Sequence, residues 1–196
     1  MTNPNDAKKM KTKQKQIVLL VVLLLVVVLF FILRGCRSDG PLLYVRLDDK
    51  SKQSLQTDYP GSDIDAIEIV RDGEVVGTAS LVVDSHLLDG APGNTNKFKD
   101  LSQILGIANY DAENRENYVA LGGSGGYVIV KMSVPLQVGD ILRVHEIGAG
   151  TGGSAEPCSV AIGRNESGPF QEIGEGAGPF ELIVPEAVRK PISLSP

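Results

Sequence analysis

With 196 residues, the chain has room for one domain of ordinary size and a tail. Trp is absent and only five Tyr and five Phe occur, so a core must rest on Val, Ile and Leu, the residues that favour strands. Seven of the 19 basic residues precede position 38, against one of the 24 acidic ones; the remainder therefore carries a net charge near −11, which argues against nucleic acid as a partner.

Residues Ile17 to Leu33 (IVLLVVLLLVVVLFFIL) contain no charged or polar residue. As a helix they would extend about 25 Å, just enough to span a bilayer. Lys8, Lys9, Lys11, Lys13 and Lys15 precede the run and only Arg34 and Arg37 follow it closely. The positive-inside rule then places the N-terminus in the cytoplasm and everything from Ser38 onward outside it. The same rule needs no protein partner for the lysines, which face anionic head groups. A cleaved signal peptide would require a shorter apolar region and a small-residue cleavage site. A lipoprotein anchored at Cys36 is the alternative, because Leu33-Arg34-Gly35-Cys36 has the Leu, Gly and Cys of a lipobox, with an atypical Arg between them. Either way a single domain is tethered in the periplasm or outside the cell. The expected division is a cytoplasmic basic tail (1–16), a transmembrane helix (17–33), a spacer (34–42), an exported β-sandwich (43–184) and a C-terminal tail (185–196).

Within the domain, Tyr44 to Leu47 reads as a strand with Val45 and Leu47 inward, and Asp48 to Ser62 as a polar loop. Ile67 and Ile69 alternate with their neighbours as a half-buried strand should. Arg71-Asp72-Gly73-Glu74 carries the Asp-Gly dipeptide of a tight hairpin and leads into Val75 to Val83. Asp84 to Asn96 is rich in turn formers. Phe98, Leu101, Ile104 and Leu105 recur at helical spacing, which predicts one short helix between Lys97 and Gly106, capped by Thr95 or Asn96. Strands follow at Tyr118 to Leu121, Tyr127 to Val134, Asp140 to Ile147, Pro157 to Gly163 and Phe180 to Val184, separated by Gly-rich connections. The fold class is all-β, a jelly-roll-like β-sandwich with one short helix behind a single N-terminal transmembrane helix. Cys158, the one cysteine beyond the membrane edge, excludes a disulfide framework and reads as a small buried strand residue.

Tyr118 to Gly176 carries Leu121-Gly122 and Gly125-Gly126 before a strand, Gly139-Asp140 opening the next, Val144-His145-Glu146 closing it, Glu156 before Cys158 to Ile162, and Gly168-Pro169-Phe170 in a turn. This combination resembles the β-sandwich module of many bacterial secreted and cell-surface proteins, distantly like discoidin and galactose-binding jelly rolls. In that family a strand like Tyr44-Val45-Arg46-Leu47-Asp48 and a segment like Gly61-Ser62-Asp63-Ile64-Asp65-Ala66-Ile67 end the module, whereas here both precede the core. The resemblance therefore implies a circular permutation, with Asp72 to Asp84 as the new bridge between old ends. The alternative is a chance match of a short acidic strand.

Asp63 and Asp65 continue the parity of Ile67 and Ile69, and Glu146 that of Leu142 and Val144. Carboxylates at a core edge need donors or a cation, so these three form a candidate Ca²⁺ site, with hydrogen bonds to loop amides, or pairing with Arg46 and Arg143, as the alternative. Gly148 to Gly153 satisfies G-x-G-x-x-G but runs into Pro157 and a strand, not into a helix that could hold pyrophosphate. Asp84-Ser85-His86 cannot form a triad, since neighbours on one strand do not converge on a substrate atom. Asn165-Glu166-Ser167 fits a glycosylation acceptor. No catalytic constellation stands out. The expected function is a non-enzymatic module that binds a surface glycan or an envelope protein through loops Asp84 to Asn96, Gly148 to Glu156 and Arg164 to Gly176. The alternative is a structural subunit of a cell-envelope assembly or secretion complex.

Overall fold

A computed structural model describes residues 40–51, 60–89, 95–110, 116–148 and 155–186. All belong to the second of two units into which the chain divides, 1–39 and 40–196. The expected transmembrane helix and Cys36 therefore lie outside the described residues, as does the tail beyond 186. Among the described residues, no helix is long and apolar enough to cross a membrane.

Among the described residues nine strands form: β1 Leu42–Asp49, β2 Asp63–Arg71, β3 Glu74–His86, β4 Val119–Ala120, β5 Tyr127–Leu136, β6 Ile141–Glu146, β7 Pro157–Gly163, β8 Phe170–Ala177 and β9 Phe180–Ile183. They pair antiparallel in the order β8-β7-β1-β5-β3-β2-β6-β9, with β4 added beside the start of β2. Strand β3 turns the sheet. Its first half pairs with β2 and its second with β5, and register shifts at Ala79/Leu81 and Val82/Asp84 bend it between them, as bulges do. The ends of the order, β8 and β9, meet through side chains: Phe180 and Leu182 pack on the bare backbones of Gly176 and Gly174, where a Cβ would come within 2.3 and 2.8 Å of them.

The core is aliphatic, as the composition requires. Val45 and Leu47 of β1, Ile64, Ile67 and Ile69 of β2, Leu142 and Val144 of β6, and Cys158 and Val160 of β7 are fully buried in one cluster. Burial pushes the Cys158 thiol far up, so it behaves as a small apolar residue. The Asp-Gly hairpin forms with Asp72 at φ 53° and Gly73 at φ 87°, the left-handed pair that a two-residue connection demands. Both segments thought to have moved forward are inner strands: β1 lies between β7 and β5, and β2 between β3 and β6.

Two expectations need correction. The segment Lys97 to Gly106 forms only a single 3-10 turn, Leu101–Ile104, capped by Asp100 and stopped before Gly106 at φ +93°. Asn96 does not cap it. Its side chain holds the preceding stretch extended, donating to the carbonyls of Leu88 and Ala120 and accepting from the Phe98 amide. Phe98 then stacks on Tyr118, 4.4 Å between ring centroids, in a second small cluster with Ala120 and Ile147. The other correction concerns Arg164 to Gly176, expected as a loop, which is largely strand β8.

Pairing sorts the connections between the two ends of the fold. At the end where the chain enters β1 lie short turns, 72–73, 137–140 and 164–169, together with the finish of β9. At the other end of β1, about 23 Å away at 3.3 Å per residue, the chain leaves β1, β3, β4 and β6 and makes the two-residue turn 178–179, while the segment 106–108 runs back along the sheet, Gly106 pairing with Ala79 and Ala108 donating to Glu68. Of the three loops expected to carry function, two have their described ends (84–89 with 95–96, and 148 with 155–156) at this long-loop end, their middles lying outside the described residues, and the third begins at the turn end.

Candidate functional site: the long-loop end

Two buried carboxylates hold the base of the long-loop end. Asp49 continues the inward parity of Val45 and Leu47 one step beyond the core and is 2% exposed. Its Oδ1 accepts from the Ser51 amide (2.8 Å) and hydroxyl (2.6 Å), and its Oδ2 from the amides of Ser62 and Gly123 (both 2.8 Å). Both ends of the connection from β1 to β2 and the turn after β4 thus converge on one side chain. Gly61 fits there because it has no Cβ: one would stand 2.0 Å from Asp49 Oδ2 and 2.2 Å from the Gly123 amide nitrogen, and its φ of +80° suits glycine alone.

Glu146 has the same role one sheet over and is fully buried. Its Oε1 accepts from Gly148 (2.8 Å) and Asp63 (3.3 Å), and its Oε2 from Gly178 (2.8 Å) and Glu156 (3.4 Å). Inward-pointing carboxylates satisfied by amides are stable where bare ones are not.

The three carboxylates expected at a calcium site are placed differently from one another. A register shift between Ile64 and Ala66 makes Asp65 the extra residue of a bulge, so Ile64, not Asp65, faces the core opposite Glu146. Asp65 instead accepts from the amides of Asn109 (3.1 Å) and Tyr110 (3.2 Å) in the segment covering β2. Burial raises its pKa, and those two amides oppose the shift. Asp63 does lie by Glu146, through its own amide. Among the described residues, no three His, Cys, Asp or Glu side chains form a group that could hold a metal ion. Neither arginine considered as a partner reaches these acids: Arg46 binds Asp48, and Arg143 binds Glu181 and Glu68.

Glu68, on the outer face of β2, collects His145 Nε2 at 3.1 Å, Arg143 at 3.5 Å and the Ala108 amide at 3.3 Å. Burial alone would raise its carboxyl, but His145, Ala108 and Arg143 together bring it below the usual range. Asp84 and His86 share the outer face of β3 with Tyr127, whose hydroxyl donates to Asp84 at 2.9 Å, while Ser85 pairs with buried Val128.

Asp63 is the exception to this satisfaction. It is 2% exposed, and its Oδ1 has no hydrogen-bond partner. Burial, with Glu156, Glu146 and Asp49 nearby, pushes it up to about 9. Glu156 is raised to about 7 by burial and by Asp49 and Glu146. Sequence reasoning did not single out Asp49 or Glu156 as site residues, although the inward parity of Asp49 after Val45 and Leu47 was available as a signal. The fold and this end together define an antiparallel all-β module whose long connections share one acid-braced end. Comparison of the chain with protein-family models, with curated proteins and with solved structures gives no match.

Proposed function

We propose that the chain is a non-enzymatic, jelly-roll-like module, tethered outside the cytoplasm by residues 17–33, that recognises an envelope protein through its long-loop end. One observation carries this reading: buried Asp49 and Glu146 brace connections at one end of the fold, each through amides far apart in the chain. Loops on a rigid base are the usual carriers of recognition. A protein partner is favoured over a glycan because the aromatics of these connections are used internally. Phe98 stacks on Tyr118, Tyr110 meets Tyr118 edge-on at 6.2 Å, and Tyr118 is 2% exposed. Among the described residues of these connections, little aromatic face is left on which a sugar could stack. A circular permutation is supported by the two ends of the fold, since Leu42 pairs with Leu136 and Val184 bonds to Gly139 and Asp140 across the same turn.

The alternative, a structural subunit of an envelope assembly or secretion complex, is favoured by a row at the turn end: Val75, Val70, Ile141 and Ile183 stand opposite one another across four strands, with Ile183 69% exposed. Photo-crosslinking of the full chain in native membranes separates the readings. A crosslinking residue at Thr95 or Ser124 should trap one discrete protein, and one at Val75 or Ile183 should not. Crosslinks from Ile183 alone would favour the assembly subunit, and specific retention on a glycan surface would replace the protein partner by a sugar.

A further inference from the structure

Asp49, Asp63, Glu146 and Glu156 all lie at the long-loop end, and a donor count divides them into two pairs. Asp49 and Glu146 each accept at least four hydrogen bonds and need nothing more. Asp63 Oδ1 is buried without a partner, and among the described residues no donor reaches the Glu156 carboxyl. The charged groups acting on these two are all acidic, Asp49 and Glu146 on both and Glu156 on Asp63, with no lysine or arginine among them. A bare buried carboxyl surrounded by carboxylates must take up a proton or a cation. We propose that Asp63 and Glu156 bind a divalent, oxygen-seeking cation of the calcium class at the base of the long-loop end.

The charge matches: two carboxyls are left over, and one divalent ion neutralises both. The ligand chemistry matches as well, because carboxylate oxygens are the hard donors such a cation takes. The Ser62 hydroxyl, next to Asp63, lies 3.5 Å from the Glu156 carbonyl. The softer ligands are committed elsewhere, His145 to Glu68, His86 beside Tyr127, and Cys158 in the core. Carboxylate ligands select calcium over zinc. With two side-chain carboxyls and no ready-made cage of three, carbonyls and water must complete the coordination, which places affinity in the weak range of extracellular modules, about 10⁻⁴–10⁻³ M. The site differs from the one the sequence implied: Asp63 is retained, Asp65 is replaced by Glu156, and Glu146 serves as a brace and not as a ligand. It does not depend on the identity of the protein partner.

The test is thermal unfolding of the full chain in detergent with calcium, magnesium or chelator, together with calorimetric titration of calcium. With calcium about a hundredfold above its Kd, Tm should rise by about 5–10 °C, and magnesium should do much less. Asp63→Asn should abolish the rise, yet melt in chelator no lower than the wild type, because a neutral amide relieves the repulsion. Should Asp63→Asn not fold, Glu156→Gln, at a half-buried position, tests the same ligand pair and should lose most of the rise. A wild-type Tm that ignores calcium but falls as pH rises from 6 to 9 would show that a proton alone resides there and would overturn the proposal. A calcium response retained in both variants would overturn it equally.

Discussion

Glu146 separates a brace from a metal ligand, and its removal has a calculable cost. Glu146→Ala deprives two amides, Gly148 and Gly178, of acceptors at 2.8 Å, and two more, Asp63 and Glu156, of weaker ones at 3.3 and 3.4 Å. Hydrogen bonds to a charged group contribute about 1.5–3 kcal/mol each. The two short bonds therefore set a loss of about 3–6 kcal/mol, a large share of the roughly 5–15 kcal/mol that holds an ordinary domain together. Relief of Asp63 and Glu156, both raised in part by Glu146, offsets some of it. Glu146→Gln keeps one acceptor oxygen but turns an NH₂ group toward an amide donor, so about half the loss should remain. Urea unfolding of the full chain measures the total, and amide exchange at Gly148 and Gly178 locates it, accelerating by about 10²–10⁴ if the bonds are worth this much. A Glu146→Ala variant that loses less than about 1 kcal/mol, with unchanged protection at both glycines, would refute the bracing role.

Three further outcomes follow from named contacts. Burial alone would raise the Asp140 carboxyl, but the two bonds from Arg71 (2.8 and 2.9 Å) and one from the Gln137 amide (2.7 Å) hold it below the usual range. A lowered acid stabilises above its unfolded value and loses that contribution as pH falls through the folded one. Acid titration of stability should therefore show a loss below about pH 4 that Asp140→Asn removes. Arg71→Ala should destabilise the domain near pH 7 and reverse that slope, because it leaves the buried Asp140 carboxylate without its cation. Deleting residues 43–70 removes Val45, Leu47, Ile64, Ile67 and Ile69, each fully buried. At about 1.5–3 kcal/mol apiece they match the whole stability of the domain, so the truncated chain should not fold; a soluble, cooperatively melting product would refute this. Mass spectrometry of the purified chain should show residues 17–33 retained and no diacylglycerol on Cys36, and a chain starting at lipidated Cys36 would replace the helix by a lipid anchor.

Parity and turn chemistry carried the sequence reading as far as they apply. Inward Val45, Leu47, Ile67 and Ile69, the Asp-Gly hairpin and buried Cys158 follow from period two and from the left-handed pair that only such a dipeptide supplies. β8 escaped because Gly174 and Gly176 stand where a strand pattern would show bulky residues; those glycines exist to receive Leu182 and Phe180, contacts between chain segments that no local pattern displays. The helix between Lys97 and Gly106 failed for a related reason: Asn96 satisfies carbonyls of Leu88 and Ala120, and these tertiary bonds outweigh a helical spacing of four apolar residues.

The candidate site shows the same boundary more sharply. Parity correctly marked Glu146 as an inward carboxylate, and the same rule, applied to β1, marks Asp49 one step past Leu47. It misplaced Asp65 because one extra residue in β2 moves every position before it to the opposite face, and a bulge leaves no mark in a run such as DIDAIEIV. That single insertion explains why Asp63 and Asp65 part company, Asp65 bonding to the segment over β2 while Asp63 is left without a donor at Oδ1. The extra residue thus produces the one buried carboxyl oxygen without a hydrogen-bond partner among the described residues, at the end where the long loops gather. A variant lacking Asp65 should restore regular pairing between β2 and β6. Asp63 would then shift in register against β6 and lose its place beside the Glu146 carboxylate. If the orphan carboxyl is a product of the bulge, the calcium response of that variant should disappear, and with it any fall of Tm in chelator between pH 6 and 9. A variant that keeps both would show that the environment of Asp63 is set by the loops and not by the strand.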